Sequence, residues 1–165
     1  MFIRTATAIA CLLPVAAFAA EADAPVTSVD GAELGIVQVI DTPSGVAHVI
    51  ISLTGIPEGV HGIHLHETGD CSAEDFSSAG GHIAGDAEHG IMSENGPHPG
   101  DLPNATVQAD GTLQAEYFLP DFSVEEWLAD DDGAAFIVHA GSDDYESQPA
   151  GDAGDRFACG VFELQ

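Results

Sequence analysis

Two histidines placed two apart inside an apolar stretch, His64 and His66 of His61-Gly62-Ile63-His64-Leu65-His66, constrain this chain more than any other feature. In an extended strand successive side chains point to opposite faces, so His64 and His66 share a face and two imidazoles at that spacing can grip one metal ion. His61 has the opposite parity and reads as a supporting residue on the other face. A strand of this kind is useful only if other segments bring further ligands up to it.

Such segments follow. Gly81-His82, Glu88-His89-Gly90 and His98-Pro99-Gly100-Asp101 come first, then His139 at the end of the apolar run 134–139. Of eight histidines only His48 stands outside this set. Loop-borne His and Asp at intervals of seven (82 to 89), nine (89 to 98) and three (98 to 101) are what a closed nitrogen and oxygen metal site needs.

Read together, His64-Leu65-His66-Glu67-Thr68-Gly69-Asp70-Cys71, Ser78-Ala79-Gly80-Gly81-His82, His89-Gly90, Gly100-Asp101-Leu102-Pro103-Asn104, Ile137-Val138-His139 and Gly154-Asp155-Arg156-Phe157-Ala158-Cys159-Gly160 resemble copper-zinc superoxide dismutase of the bacterial exported type. The matches keep the family's order from about Gly31 to Phe162. The resemblance implies copper held by His64, His66, His82 and His139, and zinc held by His82, His89, His98 and Asp101, with His82 bridging the two. Imidazole suits copper, and nitrogen donors plus one carboxylate suit zinc, which does no redox chemistry. It further implies a carboxylate at Asp143 that hydrogen-bonds ligands of both sites, with Asp144 beside it as the alternative, His61 packed beneath the copper ligands, and Arg156 as an anion guide.

The implied reaction is dismutation of superoxide to oxygen and hydrogen peroxide, with catalytic roles for His82 and Arg156. Two departures from the family pattern stand out. No lysine occurs in the acidic loop 142–155, where the family often has one, and Ile83-Ala84-Gly85 replaces a more frequent aromatic, Asn and Pro. The competing reading is a non-enzymatic copper or zinc carrier on the same fold, whose members generally lack a copper ligand or the arginine.

The compartment is read from the N-terminus and the cysteines. Met1-Phe2-Ile3-Arg4, an apolar run from Ala6 to Phe18 and the Ala17-Phe18-Ala19 site have the three parts of a secretory signal. Residues 1–19 are thus expected to be removed after about Ala19, leaving one domain over 20–165 in the periplasm or secreted. Of three cysteines, Cys71 and Cys159 then remain, and an even pair in an oxidising compartment favours a disulfide over two free thiols.

Charge narrows the partners. Residues 20–165 keep 28 acidic groups against Arg156 alone, a formal charge of 1 minus 28, or −27. Such a surface repels nucleic acid and anionic membranes and leaves a small anion, superoxide, to be drawn in locally by Arg156. No apolar stripe decides the oligomeric state, which leaves room for a homodimer.

Strand signals dominate the rest. Gly35–Asp41, Val46–Leu53, Ala105–Ala109, Thr112–Phe118, Ala134–Ala140 and Arg156–Glu163 read as short strands, with Asp110-Gly111 as a hairpin turn. Glu21–Pro25 reads as a flexible start, and Ser123-Val124-Glu125-Glu126 as a capping box opening a short helix whose Trp127 enters the core. His48 is read as a solvent-side residue without function. The pattern indicates an all-β antiparallel sandwich or flattened barrel of the immunoglobulin-like kind. The resemblance specifies an eight-stranded Greek-key barrel with long metal-binding loops.

Overall fold

Alternating burial in strand β3 (Val46–Leu53) places Ala47, Val49, Ile51 and Leu53 inside, the face predicted from period-two spacing. The computed structural model describes residues 19–165. The expected signal segment, residues 1–19, therefore lies outside the described residues apart from Ala19.

The remaining strands are β1 (Glu21–Ser28), β2 (Glu33–Asp41), β4 (Gly59–His61), β5 (Ile63–His66), β6 (Ala105–Val107), β7 (Leu113–Pro120), β8 (Ala135–His139), β9 (Arg156–Val161) and β10 (Glu163–Leu164). They build an antiparallel sheet in the order β5-β8-β9-β1-β2-β3-β7, with β10 beside β1, while β4 pairs with β6. Single-residue breaks at Gly62 and Phe162 separate β4 from β5 and β9 from β10. Joining each pair turns ten segments into the expected eight. The first and last strands are neighbours, and β3 pairs across to β7, so the chain closes into an all-β half-barrel.

Three expectations are corrected. Glu21–Pro25 is not a flexible start but the first half of β1, bonded to β2 and β10 and, further along, to β9. Ala22, Ala24 and Val26 are buried, whereas Glu21 and Asp23 are only part-buried; the small side chains made the alternation easy to miss. The Asp110-Gly111 turn exists, closed by Gly111 N to Gln108 O at 2.9 Å and Gln108 N to Thr112 O at 3.0 Å. It does not make a hairpin, because β6 goes to β4 and β7 to β3. Helix α1 (Val124–Trp127) lacks the capping-box bond from Ser123; the Val124 amide donates instead to Asp41 Oδ1 at 3.1 Å. Trp127 is part-buried against the core, 6.3 Å from the Phe122 ring.

The core runs through Phe136, Ile51, Leu53, Ile63, Leu65, Leu102 and Leu113, all fully buried. Each such side chain contributes roughly 1.5 to 3 kcal/mol relative to exposure. All of β8 is buried, so His139 is delivered from a rigid strand. The long segment after β5 has no sheet of its own, as its composition suggested. It is held because Leu65 N bonds Gly100 O, Ile83 N bonds Leu65 O and Gly100 N bonds Ile83 O. These returns set His66 opposite His82 and His64 opposite Asp101 as isolated bridges. A Cys71–Cys159 disulfide, with Cα atoms 6.0 Å apart, ties the start of the same segment to β9.

Candidate metal centre

The structure brings all seven predicted metal ligands into two overlapping clusters. His64, His66, His82 and His139 form one, His82, His89, His98 and Asp101 the other, and in each the ligand atoms lie within 4.8 Å of one another. His82 belongs to both. All six histidines are buried, His64 and His89 completely.

The ring nitrogens are already sorted by their partners. His64 Nε2 donates to Asp143 Oδ2 at 2.7 Å, His66 Nδ1 to the Gly80 carbonyl at 3.0 Å, and His139 Nδ1 to the Gly154 carbonyl at 3.1 Å. A carbonyl or carboxylate oxygen only accepts, so each of these nitrogens carries the hydrogen and the opposite nitrogen of a neutral ring carries a lone pair. Those opposite nitrogens, His64 Nδ1 and the Nε2 atoms of His66 and His139, are buried with no hydrogen-bond partner among the described residues, and so is His82 Nε2. Four unsatisfied buried nitrogens in one cluster would be costly in a site meant to stay empty. As a donor set they suit copper.

The second cluster centres on Asp101. Its Oδ2 accepts the amides of Gly90 at 2.9 Å and His98 at 3.0 Å, which leaves Oδ1 facing the Nδ1 atoms of His82 at 2.8 Å, His89 at 3.0 Å and His98 at 3.2 Å. Three ring nitrogens and one carboxylate oxygen, closed off from solvent, are a donor set that fits zinc. His82 thus turns Nε2 to the first cluster and Nδ1 to the second.

Protonation states agree with this. Burial pushes His64 and His139 down to about 4, only partly offset for His64 by its bond to Asp143 and for His139 by its bond to Gly154. Burial likewise holds His66 well below the ordinary imidazole value and lowers His98. Burial alone would raise Asp101, but hydrogen bonds from His82 and the Gly90 amide and the charges of nearby rings outweigh it, holding the carboxyl well below its usual range. At neutral pH His64, His66, His98 and His139 are therefore neutral imidazoles and Asp101 is an ionised carboxylate, the forms that ligate metals.

Asp143 joins the clusters, since its Oδ1 accepts His89 Nε2 at 3.1 Å while Oδ2 holds His64. Burial works against its ionisation, and bonds from His64, the Tyr145 amide and His89 overcome it, bringing the carboxyl to about 2. Asp144 is exposed and bonded to Ser147, so the alternative weighed from sequence is set aside. Gly151 is required beside Asp143: at φ +67 its backbone is left-handed, and a Cβ there would fall 2.0 Å from Asp143 Oδ1.

His61 lies beneath the first cluster, with Nδ1 2.7 Å from the His139 carbonyl and Nε2 2.9 Å from the Pro57 carbonyl. Arg156 donates Nη1 to Phe76 O and Nη2 to Gly80 O, each at 2.6 Å, and lines an open cavity of about 680 Å³ with Glu74, Asp75 and Asp155. Gly80 O thus receives both Arg156 and His66.

Sequence reasoning missed the backbone acceptors Phe76, Gly80 and Gly154, because a carbonyl has no residue-type signature. It also missed Asn104. That side chain exchanges two hydrogen bonds with the Asp143 backbone, at 2.8 and 2.9 Å, and its own amide donates to Tyr145 Oη at 2.7 Å. His48, outside the clusters, pairs with Glu116 at 2.8 Å and stacks on Phe118, 5.0 Å between ring centroids.

An antiparallel β-barrel whose strands and loops together carry two histidine clusters with one imidazole in common defines a metal-binding protein. Residues 34–162 match the family model described as copper/zinc superoxide dismutase (SODC), and the chain belongs to that family. It is 41% identical to a superoxide dismutase [Cu-Zn] of Caulobacter vibrioides over 149 residues, covering 86% of this chain and 85% of that relative. A superoxide dismutase [Cu-Zn] 2 of Aquifex aeolicus is 35% identical, with 86% of each covered. Among solved structures, a SOD-like protein from Bacillus subtilis superposes with a TM-score of 0.79 at 34% identity, covering 84% of this chain and 96% of that one. The Cu/Zn superoxide dismutase from Brucella abortus gives 0.71 at 30% identity, covering 87% and 99%. Membership makes the protein an oxidoreductase with copper and zinc as cofactors and superoxide dismutation as the family reaction.

Proposed function

We propose that copper is held by His64 Nδ1 and by the Nε2 atoms of His66, His82 and His139, and zinc by the Nδ1 atoms of His82, His89 and His98 with Asp101 Oδ1, the His82 ring bridging the two. The observation that supports this most directly is the set of four partnerless buried nitrogens, in a cluster where the other ring nitrogen of His64, His66 and His139 is bonded within the fold.

Copper, when bound, supplies one-electron cycling, so that one superoxide is oxidised to dioxygen and a second, with two protons, is reduced to hydrogen peroxide. The chain's own residues position the anion and the protons. Arg156 commits one N–H of each terminal nitrogen to carbonyls of the disulfide-tied segment and keeps the rest of its five donors for an incoming anion. His82 Nε2, in the state in which its lone pair is not given to copper, would be the protein atom placed to carry a proton and give it to the departing product. On the other side of that ring the Gly90 and His98 amides hold Asp101 in place through its Oδ2. Asp143 and the Gly80 and Gly154 carbonyls prevent the other three rings from turning.

The exported form is read as residues 20–165, acting in the periplasm or outside the cell as an antioxidant. The Cys71–Cys159 disulfide supports an oxidising compartment. The deciding experiment measures metal content and superoxide consumption on the disulfide-bonded protein and on His139→Ala. About one copper and one zinc per chain, with activity lost in the variant, are expected. Stoichiometric metal without activity in the parent would favour the carrier instead.

A further inference from the structure

His89 is held at more points than a zinc ligand needs if Asp143 alone orients it. Its ring Nε2 is bonded to Asp143, but its backbone is gripped as well. Gln148 Oε1 accepts the His89 amide at 2.9 Å while Gln148 Nε2 donates to the His89 carbonyl at 2.8 Å. One side-chain amide thus pairs with the peptide groups of a single residue much as a neighbouring strand would. The same Nε2 lies 3.0 Å from Ser93 Oγ, which itself donates to the His89 carbonyl.

Nothing in a strand or helix holds His89, since the segment between β5 and β6 around it has no regular structure. Asp143 and Gln148 both come from the loop between β8 and β9, where the backbone also receives Met92 N on Tyr145 O at 3.1 Å. That loop therefore reaches across with two arms, one on the ring and one on the backbone. The arm on the ring is shared with His64, whereas the arm on the backbone touches His89 alone among the metal ligands.

We infer that Gln148 is a positioning residue for His89, fixing the backbone from which the ring reaches zinc and so setting zinc retention independently of copper. With Asp143 present but Gln148 absent, the ring keeps its Nε2 bond and can pivot about it, and Nδ1 swings away from Asp101. Outer partners of metal ligands typically matter about 10- to 100-fold in affinity, and an exposed amide should fall near the lower end. This rests on the assignment of the second cluster to zinc.

The test uses the full disulfide-bonded chain, with zinc alone and cobalt(II) alone as probes. Gln148→Met keeps length and removes every hydrogen bond; Gln148→Glu keeps the acceptor for the His89 amide and loses the donor to its carbonyl. Chelator competition should show zinc bound about tenfold more weakly by Gln148→Met, with Gln148→Glu between it and the parent. The cobalt visible spectrum should shift in the same order, while copper affinity stays within about twofold of the parent. Unchanged zinc affinity in Gln148→Met, or equal loss of copper and zinc, would overturn the inference. His89→Ala serves as the reference: if the parent binds zinc no better than His89→Ala, the zinc assignment itself fails, an outcome distinct from a parent that binds tightly and a Gln148→Met variant that matches it.

Discussion

Asp143 Oδ2 accepts the Nε2 hydrogen of His64 at 2.7 Å with both side chains buried, and this bond determines which nitrogen His64 offers to a metal. The other oxygen does the same for His89. Replacing Asp143 by Ala should therefore weaken both metals, by about 10- to 100-fold each, measured by metal content after dialysis against a chelator. Asp144→Ala should leave retention within about twofold. Equal losses in the two variants would show that the loop's charge, not the Asp143 bonds, is what counts.

Gly151→Ala introduces a Cβ where Asp143 Oδ1 and His89 Nε2 already meet, at 2.0 and 2.6 Å. A left-handed backbone adds strain of about 1 kcal/mol or more. Zinc should be lost preferentially, because the collision falls on the oxygen that serves His89 and spares the one bonded to His64. Retention of zinc at the parental level would show that the loop can give way.

The metal-free protein should lose stability as pH falls from about 6.5 to 4. His64 and His139 sit near 4 in the folded chain against 6.5 ordinarily, so within that window the unfolded chain binds more protons. Each ring costs up to about 3 kcal/mol by pH 4. Asp143, at about 2 against 3.8, extends the loss to still lower pH, since its folded form stays ionised after the unfolded one has been protonated. Urea midpoints of the metal-free chain at pH 7, 5.5 and 4.5 should fall steadily. A flat response between 7 and 5 would contradict the burial of these rings as neutral bases.

Salt should raise the rate constant for superoxide at moderate concentrations. Residues 20–165 carry a formal charge of −27, and Glu74, Asp75 and Asp155 line the cavity beside Arg156. At 0.1 M ionic strength screening acts over about 10 Å, so remote acids are muted before the nearby arginine is. Pulse radiolysis from 10 to 200 mM salt tests this; a steady decline would show that the local field of Arg156 already dominates.

Cys71→Ser should lower the melting temperature by roughly 10 °C, the effect of removing a cross-link worth about 4 kcal/mol from a loop of this length. Activity should fall further than stability explains, because Phe76 and Gly80, which hold Arg156, lie in the segment that the bond tethers. Parental activity in a folded Cys71→Ser variant would show that those carbonyls need no tether.

Side-chain chemistry was legible and backbone placement was not. That His64, His66, His82, His89, His98, Asp101 and His139 gather in one place could be read because imidazoles and a carboxylate at these spacings, in this order, have few other uses. The partners that orient His66, His139 and Arg156, at Gly80, Gly154 and Phe76, are carbonyls present at every residue. The Glu21–Pro25 half of β1 escapes notice because Ala22 and Ala24 give little hydrophobic contrast, and β6 and β7, legible as strands, read as a hairpin that the fold does not form, because turn chemistry at Asp110-Gly111 does not say which sheet each arm joins. Asp143 and Asp144 differ only in which way each faces, a distinction made by the Asn104 contacts to the Asp143 backbone.

Because His64, His66 and His139 are each locked by an oxygen of the protein, their donor geometry exists before any ion arrives. Folding and loading are then separable events, unlike a zinc finger, where metal must assemble the chain. A polypeptide organised this way can fold bare, gain its cross-link, and collect its cargo wherever that cargo happens to be.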